Sequence, residues 1–145
     1  MIKKDILLIE DNPDDETLAL RALKKNHIIN EIIVVRDGEE ALNYLFCKES
    51  YSNRDSKNQP EVILLDLKLP KISGLEILQE IRKHKETKYL PVVVLTSSDE
   101  ERDLVESYKL GANSYIRKPV DFEKFQQAIL DLSLYWLVLN KSLNK

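Results

Sequence analysis

Cysteine, histidine and glycine are scarce in this chain. Its single cysteine, Cys47, excludes an internal disulfide and suits a reducing compartment. Cys47 falls beside Phe46 in an amphipathic helical pattern, which points to packing rather than a reactive thiol. The two histidines, His27 and His84, fall near helix ends and give no transition-metal set. Only three glycines occur, Gly38, Gly74 and Gly111, and none belongs to the G-x-G array of a nucleotide- or flavin-binding loop. The longest apolar run, residues 134–139, is too short to span a bilayer. Near the start, Lys3, Lys4 and Asp5 precede only four apolar residues, too few for a secretory signal. A formal net charge of −3 lacks the basic footprint of a nucleic-acid binder. These absences set the expectation of a soluble cytoplasmic protein with neither a membrane nor a nucleic-acid partner.

What is present is a repeated strand ending. The four apolar residues Val62, Ile63, Leu64 and Leu65 stop at Asp66, with Pro70 shortly after. Residues 6–9 are equally apolar and stop at Glu10-Asp11; residues 92–95 run into Thr96-Ser97; Tyr115-Ile116 leads to Lys118-Pro119. Between these strands lie helical stripes, such as Ala41, Leu42, Leu45 and Phe46, or Leu75, Ile77, Leu78 and Ile81. The alternation predicts strands over 5–9, 32–35, 62–65, after Pro91 and over 113–116. It predicts helices over 14–26, after Gly38, from Gly74, over 99–110 with Gly111 as the stop, and from an Asp121 cap to about 141. Continuous apolar strands alternating with helices imply a parallel sheet covered on both faces. At 145 residues, 43% hydrophobic and 32% charged, the chain reads as one domain. The polar segment 48–60 is long for a connection and reads as a solvated loop, mobile or a contact surface.

Taken singly, each polar strand ending has an ordinary explanation. Glu10-Asp11 could cap a helix whose start is crowded by Asn12, Asp14 and Asp15; Thr96 or Ser97 could be an N-cap; Lys118 could be a surface charge. Together they fall at the carboxyl ends of strands, where doubly wound sheets open their crevice. Three carboxylates gathered there would repel, and one would be driven toward protonation unless a cation joined them. Oxygen donors without His or Cys suit a hard ion, with Mg²⁺ the expected one.

The motifs Ile-Glu-Asp at 9–11, Leu-Leu-Asp at 64–66 with Pro70 and Gly74, Leu-Thr-Ser at 95–97, Gly-Ala at 111–112 and Tyr-Ile-Arg-Lys-Pro at 115–119 resemble the receiver domain of two-component response regulators over residues 3–133. Residues 10–15 and 37–41, the long loop before the third strand and the Tyr135-Trp136-Leu137 tail look most like the stand-alone regulators of phytochrome-type histidine kinases. The resemblance implies a CheY-like (βα)5 fold with flavodoxin-type strand order 2-1-3-4-5. It implies that Asp66 accepts a phosphoryl group from a kinase phosphohistidine. Asp11, Asp66 and the backbone carbonyl of Lys68 would bind Mg²⁺ directly, with Glu10 acting through water. Lys118 and Thr96 would contact the phosphoryl oxygens, aided by the N–H groups of Leu67, Lys68 and Ser97. A cis Lys118-Pro119 bond would aim the lysine, and Tyr115 would be the aromatic switch that turns inward with Thr96. Glu10 departs from the commoner Asp, and Lys68 and Ser98 occupy positions that influence phosphoryl hydrolysis in this family.

The receiver pattern consumes almost the whole chain, so no output domain is expected. The last helix carries Leu130, Leu134, Leu137, Val138 and Leu139 beyond its inward stripe, which points to a homodimer or partner surface around Trp136 and Leu137. Two rival functions stand beside the phosphoacceptor. An aspartyl-nucleophile phosphatase would resemble Asp-x-Asp, but Lys68 fills the second position. An interaction module that works without phosphorylation would be expected to have lost an acid, the hydroxyl or the lysine; all are present.

Overall fold

The structure, a computed structural model, describes residues 5–25, 31–97, 100–118, 122–133 and 135. Ser98, the Lys118-Pro119 bond, the Asp121 cap, Trp136 and Leu137 therefore lie outside the described residues. The elements follow as β1 (Ile6–Ile9), α1 (Pro13–Lys25), β2 (Ile32–Val35), α2 (Gly38–Leu45), β3 (Val62–Leu65), α3 (Gly74–Lys83), β4 (Val92–Thr96), α4 (Glu101–Lys109), β5 (Ser114–Arg117) and α5 (Phe122–Ser133). The strands form one parallel sheet in the order β2-β1-β3-β4-β5. No helix among the described residues is long and apolar enough to cross a membrane.

Alternation within the strands divides the core between two faces. Leu7, Ile9, Ile63, Leu65, Val92 and Val94 pack with Ala41 and Leu45 of α2 and Ile77, Leu78 and Ile81 of α3. Ile6, Leu8, Val62, Leu64, Val93 and Leu95 pack with Ala19, Ala22 and Leu23 of α1. The central strands are buried on both sides, which explains their unbroken apolar runs. Asp37 caps α2 by accepting from the Glu40 N–H at 2.8 Å, and Ser73 caps α3 by accepting from the Glu76 N–H at 3.3 Å. Gly111 follows the α4 C-cap with φ +100°, the left-handed turn expected of a glycine stop.

Several boundaries differ from the sequence expectation. Strand β5 begins at Ser114 rather than 113, because Asn113 turns onto Val92: its N–H donates to the Val92 carbonyl at 2.9 Å and its Oδ1 accepts from the Val92 N–H at 2.8 Å. Helix α4 starts at Glu101 with Glu100 as N-cap, so neither Thr96 nor Ser97 caps it. Cys47 is not helical; it follows the C-cap Phe46 with φ 57°. The 48–60 segment is largely exposed, yet it is pinned rather than free. Tyr51 meets Tyr44 edge-on at 5.1 Å and donates to Glu40 at 2.8 Å, while Arg54 stands 3.7 Å over the Tyr44 ring and donates to the Tyr44 carbonyl. Gln59 Nε2 closes the segment on the Leu45 carbonyl at 2.9 Å.

Candidate functional site

Three strand ends bring the polar residues together. The Glu10 N–H donates to the Val35 carbonyl at 3.0 Å and the Asp66 N–H to the Ile9 carbonyl at 3.1 Å, so each acid continues its ladder just past its strand. Glu10 is 2% exposed and Asp66 6%, whereas Asp11 is exposed. Glu10, Asp11 and Asp66 each offer a carboxylate oxygen, and these oxygens lie within 4.8 Å of one another. The capping task belongs to Asn12, whose Oδ1 accepts from the Asp14 and Asp15 N–H groups at 2.9 and 3.1 Å. Glu10 and Asp11 are thereby left to face the crevice, with Glu10 Oε2 accepting from the Asn12 N–H at 3.2 Å.

Lys118 enters from β5 with its side chain only 8% exposed. Its N–H donates to the Thr96 carbonyl at 2.7 Å, which registers the end of β5 against the end of β4. Its ammonium lies 2.5 Å from Glu10 Oε1, 2.8 Å from Asp15 Oδ2 and 3.2 Å from Asp66 Oδ2. Burial alone would lower this lysine; hydrogen bonds to Asp15 and Glu10 and the charges of Asp66 and Glu10 outweigh it and hold the ammonium above the ordinary lysine range. Burial pushes the Glu10 carboxyl up to about 8, the hydrogen bond and charge of Asp66 add to the rise, and Lys118 opposes it. One cation facing Glu10, Asp11, Asp66 and Asp15 leaves excess negative charge. An oxygen-only donor set carrying that excess fits a hard divalent cation.

The loop after Asp66 is held on two sides. The Gly74 N–H donates to the Leu67 carbonyl at 2.9 Å and the Gly38 N–H to the Pro70 carbonyl at 3.3 Å. Lys68 is exposed, and its N–H donates to Asp66 Oδ1 at 3.2 Å. Thr96 is fully buried at the end of β4 and Ser97 is exposed. Tyr115 is half-buried on β5 and packs against the α2–α3 side of the core. Asp15 is the participant that sequence reasoning passed over. It reads as one more acid favouring the α1 dipole, and its contact with Lys118 spans 103 residues of sequence. The available hint was geometric: consecutive residues of a first helical turn point about 100° apart, so only one of Asp14 and Asp15 can face the strand ends.

Residues 6–130 match the response regulator receiver domain. The chain belongs to that family. Among its relatives, response regulator Rcp1 of Synechocystis is 39% identical over 134 residues, covering 92% of this chain and 89% of Rcp1. The Mn²⁺-bound form of Rcp1 superposes with a TM-score of 0.87 over 96% of this chain and 98% of that one, at 37% identity. The phosphorylated cyanobacterial phytochrome response regulator RcpA superposes with a TM-score of 0.90 at 38% identity, covering 98% of this chain and 99% of RcpA. The bacteriophytochrome response regulator AtBRR is 51% identical, with a TM-score of 0.78 and coverage of 97% and 100%. The receiver identity of this chain makes it a signalling protein of the response regulator kind.

Proposed function

We propose that Asp66 accepts a phosphoryl group from the phosphohistidine of a sensor kinase. A carboxylate oxygen of Asp66 attacks phosphorus, the N–P bond breaks, and the imidazole leaves to regain its proton from solvent. The observation that carries this reading is the placement of Asp66: buried at the end of β3, within 4.8 Å of Glu10 and Asp11 oxygens, and 3.2 Å from the Lys118 ammonium. Phosphoryl transfer asks chiefly for positioning and charge stabilisation, and this cluster supplies both. Asp11, Asp66 and the Lys68 carbonyl would hold Mg²⁺, with Glu10 through water; the Mn²⁺ bound by Rcp1 supports a divalent ion in this crevice. The cation, when bound, offsets charge on the transferring group.

Lys118 then takes the phosphoryl oxygens as a compact point charge, and Thr96 donates its hydroxyl to them, helped by the Leu67, Lys68 and Ser97 N–H groups. The half-buried Tyr115 is the residue through which movement at Thr96 reaches β5 and α5. A ligand shifts an equilibrium only through differential contacts, and Lys118 is where phosphoryl charge makes them. The phytochrome associations of RcpA and AtBRR support a phytochrome-type kinase as donor, and membership of the receiver family supports a cytoplasmic setting. Self-association through the last helix around Trp136 and Leu137 draws support from Leu130 and Tyr135, which are exposed at 37% and 50%. The test is transfer of label from an autophosphorylated phytochrome-type kinase to the wild-type chain and to Asp66→Asn. The wild type should take the label and Asp66→Asn should not. Sedimentation of wild type and Trp136→Ser, with and without phosphorylation, tests the dimer.

A further inference from the structure

Lys118 has three N–H donors and three carboxylates around them. Two of those acids, Glu10 and Asp66, belong to the oxygen cluster that fits a cation. Asp15 does not, and its carboxylate is partly open to water, at 31% exposure. It approaches from the first turn of α1, whereas Glu10 and Asp66 approach from the ends of β1 and β3. The ammonium thus sits between the cluster and a counter-ion that has no other place in it. Its contact with Asp15, at 2.8 Å, is longer than its contact with Glu10, at 2.5 Å, and shorter than its contact with Asp66, at 3.2 Å.

We propose that Asp15 is a positioning residue that acts through Lys118. It anchors the ammonium on the α1 side of the crevice and compensates its charge, so that Asp66, the more loosely held of the two cluster acids, remains available to a divalent cation. Without Asp15 the ammonium would depend on Glu10 and Asp66 alone and would compete with the cation for both. The inference rests on the metal and lysine roles proposed above. Its neighbour Asp14 is the natural control: it shares the same helical turn and a similar charge relation to the α1 dipole, and its N–H is held by the same Asn12.

The experiment uses the full chain and two readouts. The first is the Lys118 Nζ ammonium signal in ¹H–¹⁵N spectra of the metal-free protein, assigned by its loss in Lys118→Met; a triply held ammonium exchanges slowly enough to be seen. The second is calorimetric titration with Mg²⁺. Asp15→Asn should broaden the ammonium signal away and weaken Mg²⁺ binding by about threefold to tenfold, the size of an uncompensated neighbouring charge in a partly screened site. Asp15→Glu should restore both. Asp14→Asn should leave the signal in place, and in a Lys118→Met background the Asp15→Asn effect on Mg²⁺ should shrink to that of Asp14→Asn. An Asp15→Asn variant that keeps the ammonium signal, or loses no more affinity than Asp14→Asn, overturns the proposal. A wild type that binds no Mg²⁺ overturns the metal reading instead, and the ammonium signal alone then decides the anchor.

Discussion

A β-carbon added to Gly38 would lie 2.2 Å from the carbonyl oxygen of Ile72 and 2.6 Å from its Cβ. The turn before α2 and the loop that follows Asp66 are therefore packed backbone to backbone, with Lys71 reaching toward Asp37 and Glu39 at 3.7 and 3.6 Å across the same seam. Gly38→Ala cannot be accommodated by turning a side chain, because the obstacle is backbone. It should destabilise the fold by about 2 kcal/mol or more, as overpacking does. Urea unfolding of the two proteins measures the loss. Displacement of the loop should also weaken Mg²⁺ binding, if the Lys68 carbonyl is a ligand.

Glu10 gives the metal-free protein a pH dependence of definite sign. Its carboxyl titrates near 8 in the fold against an ordinary value of 4.5. Between those values the native state binds more protons than the unfolded chain, so this group makes stability fall as pH rises. Below the window both states are protonated, and above it both are ionised, so the slope vanishes on either side. Urea unfolding without metal should show wild type losing stability relative to Glu10→Gln from about pH 5 to about pH 8. Mg²⁺ should work in the opposite direction, since a cation binds the ionised carboxylates and gains affinity as the proton leaves.

Arg82 is a half-buried cation that serves mainly backbone. Its guanidinium donates to the carbonyls of Gly111, Leu90 and Lys88, at 2.7, 2.7 and 3.1 Å, and to Asn113 Oδ1 at 2.9 Å. Burial lowers its pKa from the ordinary arginine value. One side chain thus ties the end of α3 to the approach to β4 and to the α4–β5 turn. Arg82→Met would strand several acceptors and should cost about 3 kcal/mol in urea unfolding. Arg82→Lys should recover little of it, because an ammonium cannot reproduce the planar fork.

How far the sequence was legible follows from how local each determinant is. The strands were readable because residues such as Ile63 and Val93 are buried on both faces, so apolar character runs unbroken and stops where the crevice begins. Glu10 and Asp66 were readable for the same reason, each being the first polar residue after such a run. Lys118 instead follows the half-buried Tyr115-Ile116 and the exposed Arg117, and was legible mainly through the Tyr-Ile-Arg-Lys-Pro motif. The anchoring of the 48–60 segment was not. Tyr44, Tyr51 and Arg54 look like ordinary polar-loop and helix residues until tertiary packing stacks the guanidinium over the ring. Asp15 was hidden similarly, since an acid in the first turn of a helix already has a sufficient local explanation. The one-residue delay of β5 depends on the Asn113 side chain closing on Val92, a contact no periodicity announces.

The central claim is that Asp66 is the phosphoacceptor and that a divalent cation assists it. Intact-mass measurement after incubation with phosphoramidate tests it most directly, on wild type and Asp66→Asn, each with Mg²⁺ and with EDTA. Asparagine keeps the shape of the side chain and removes the nucleophilic oxygen. The account predicts one added phosphoryl group on the wild type with Mg²⁺, none in EDTA, and none on Asp66→Asn in either condition. Equal labelling of Asp66→Asn would contradict the assignment of Asp66, and undiminished labelling in EDTA would contradict the role of the cation.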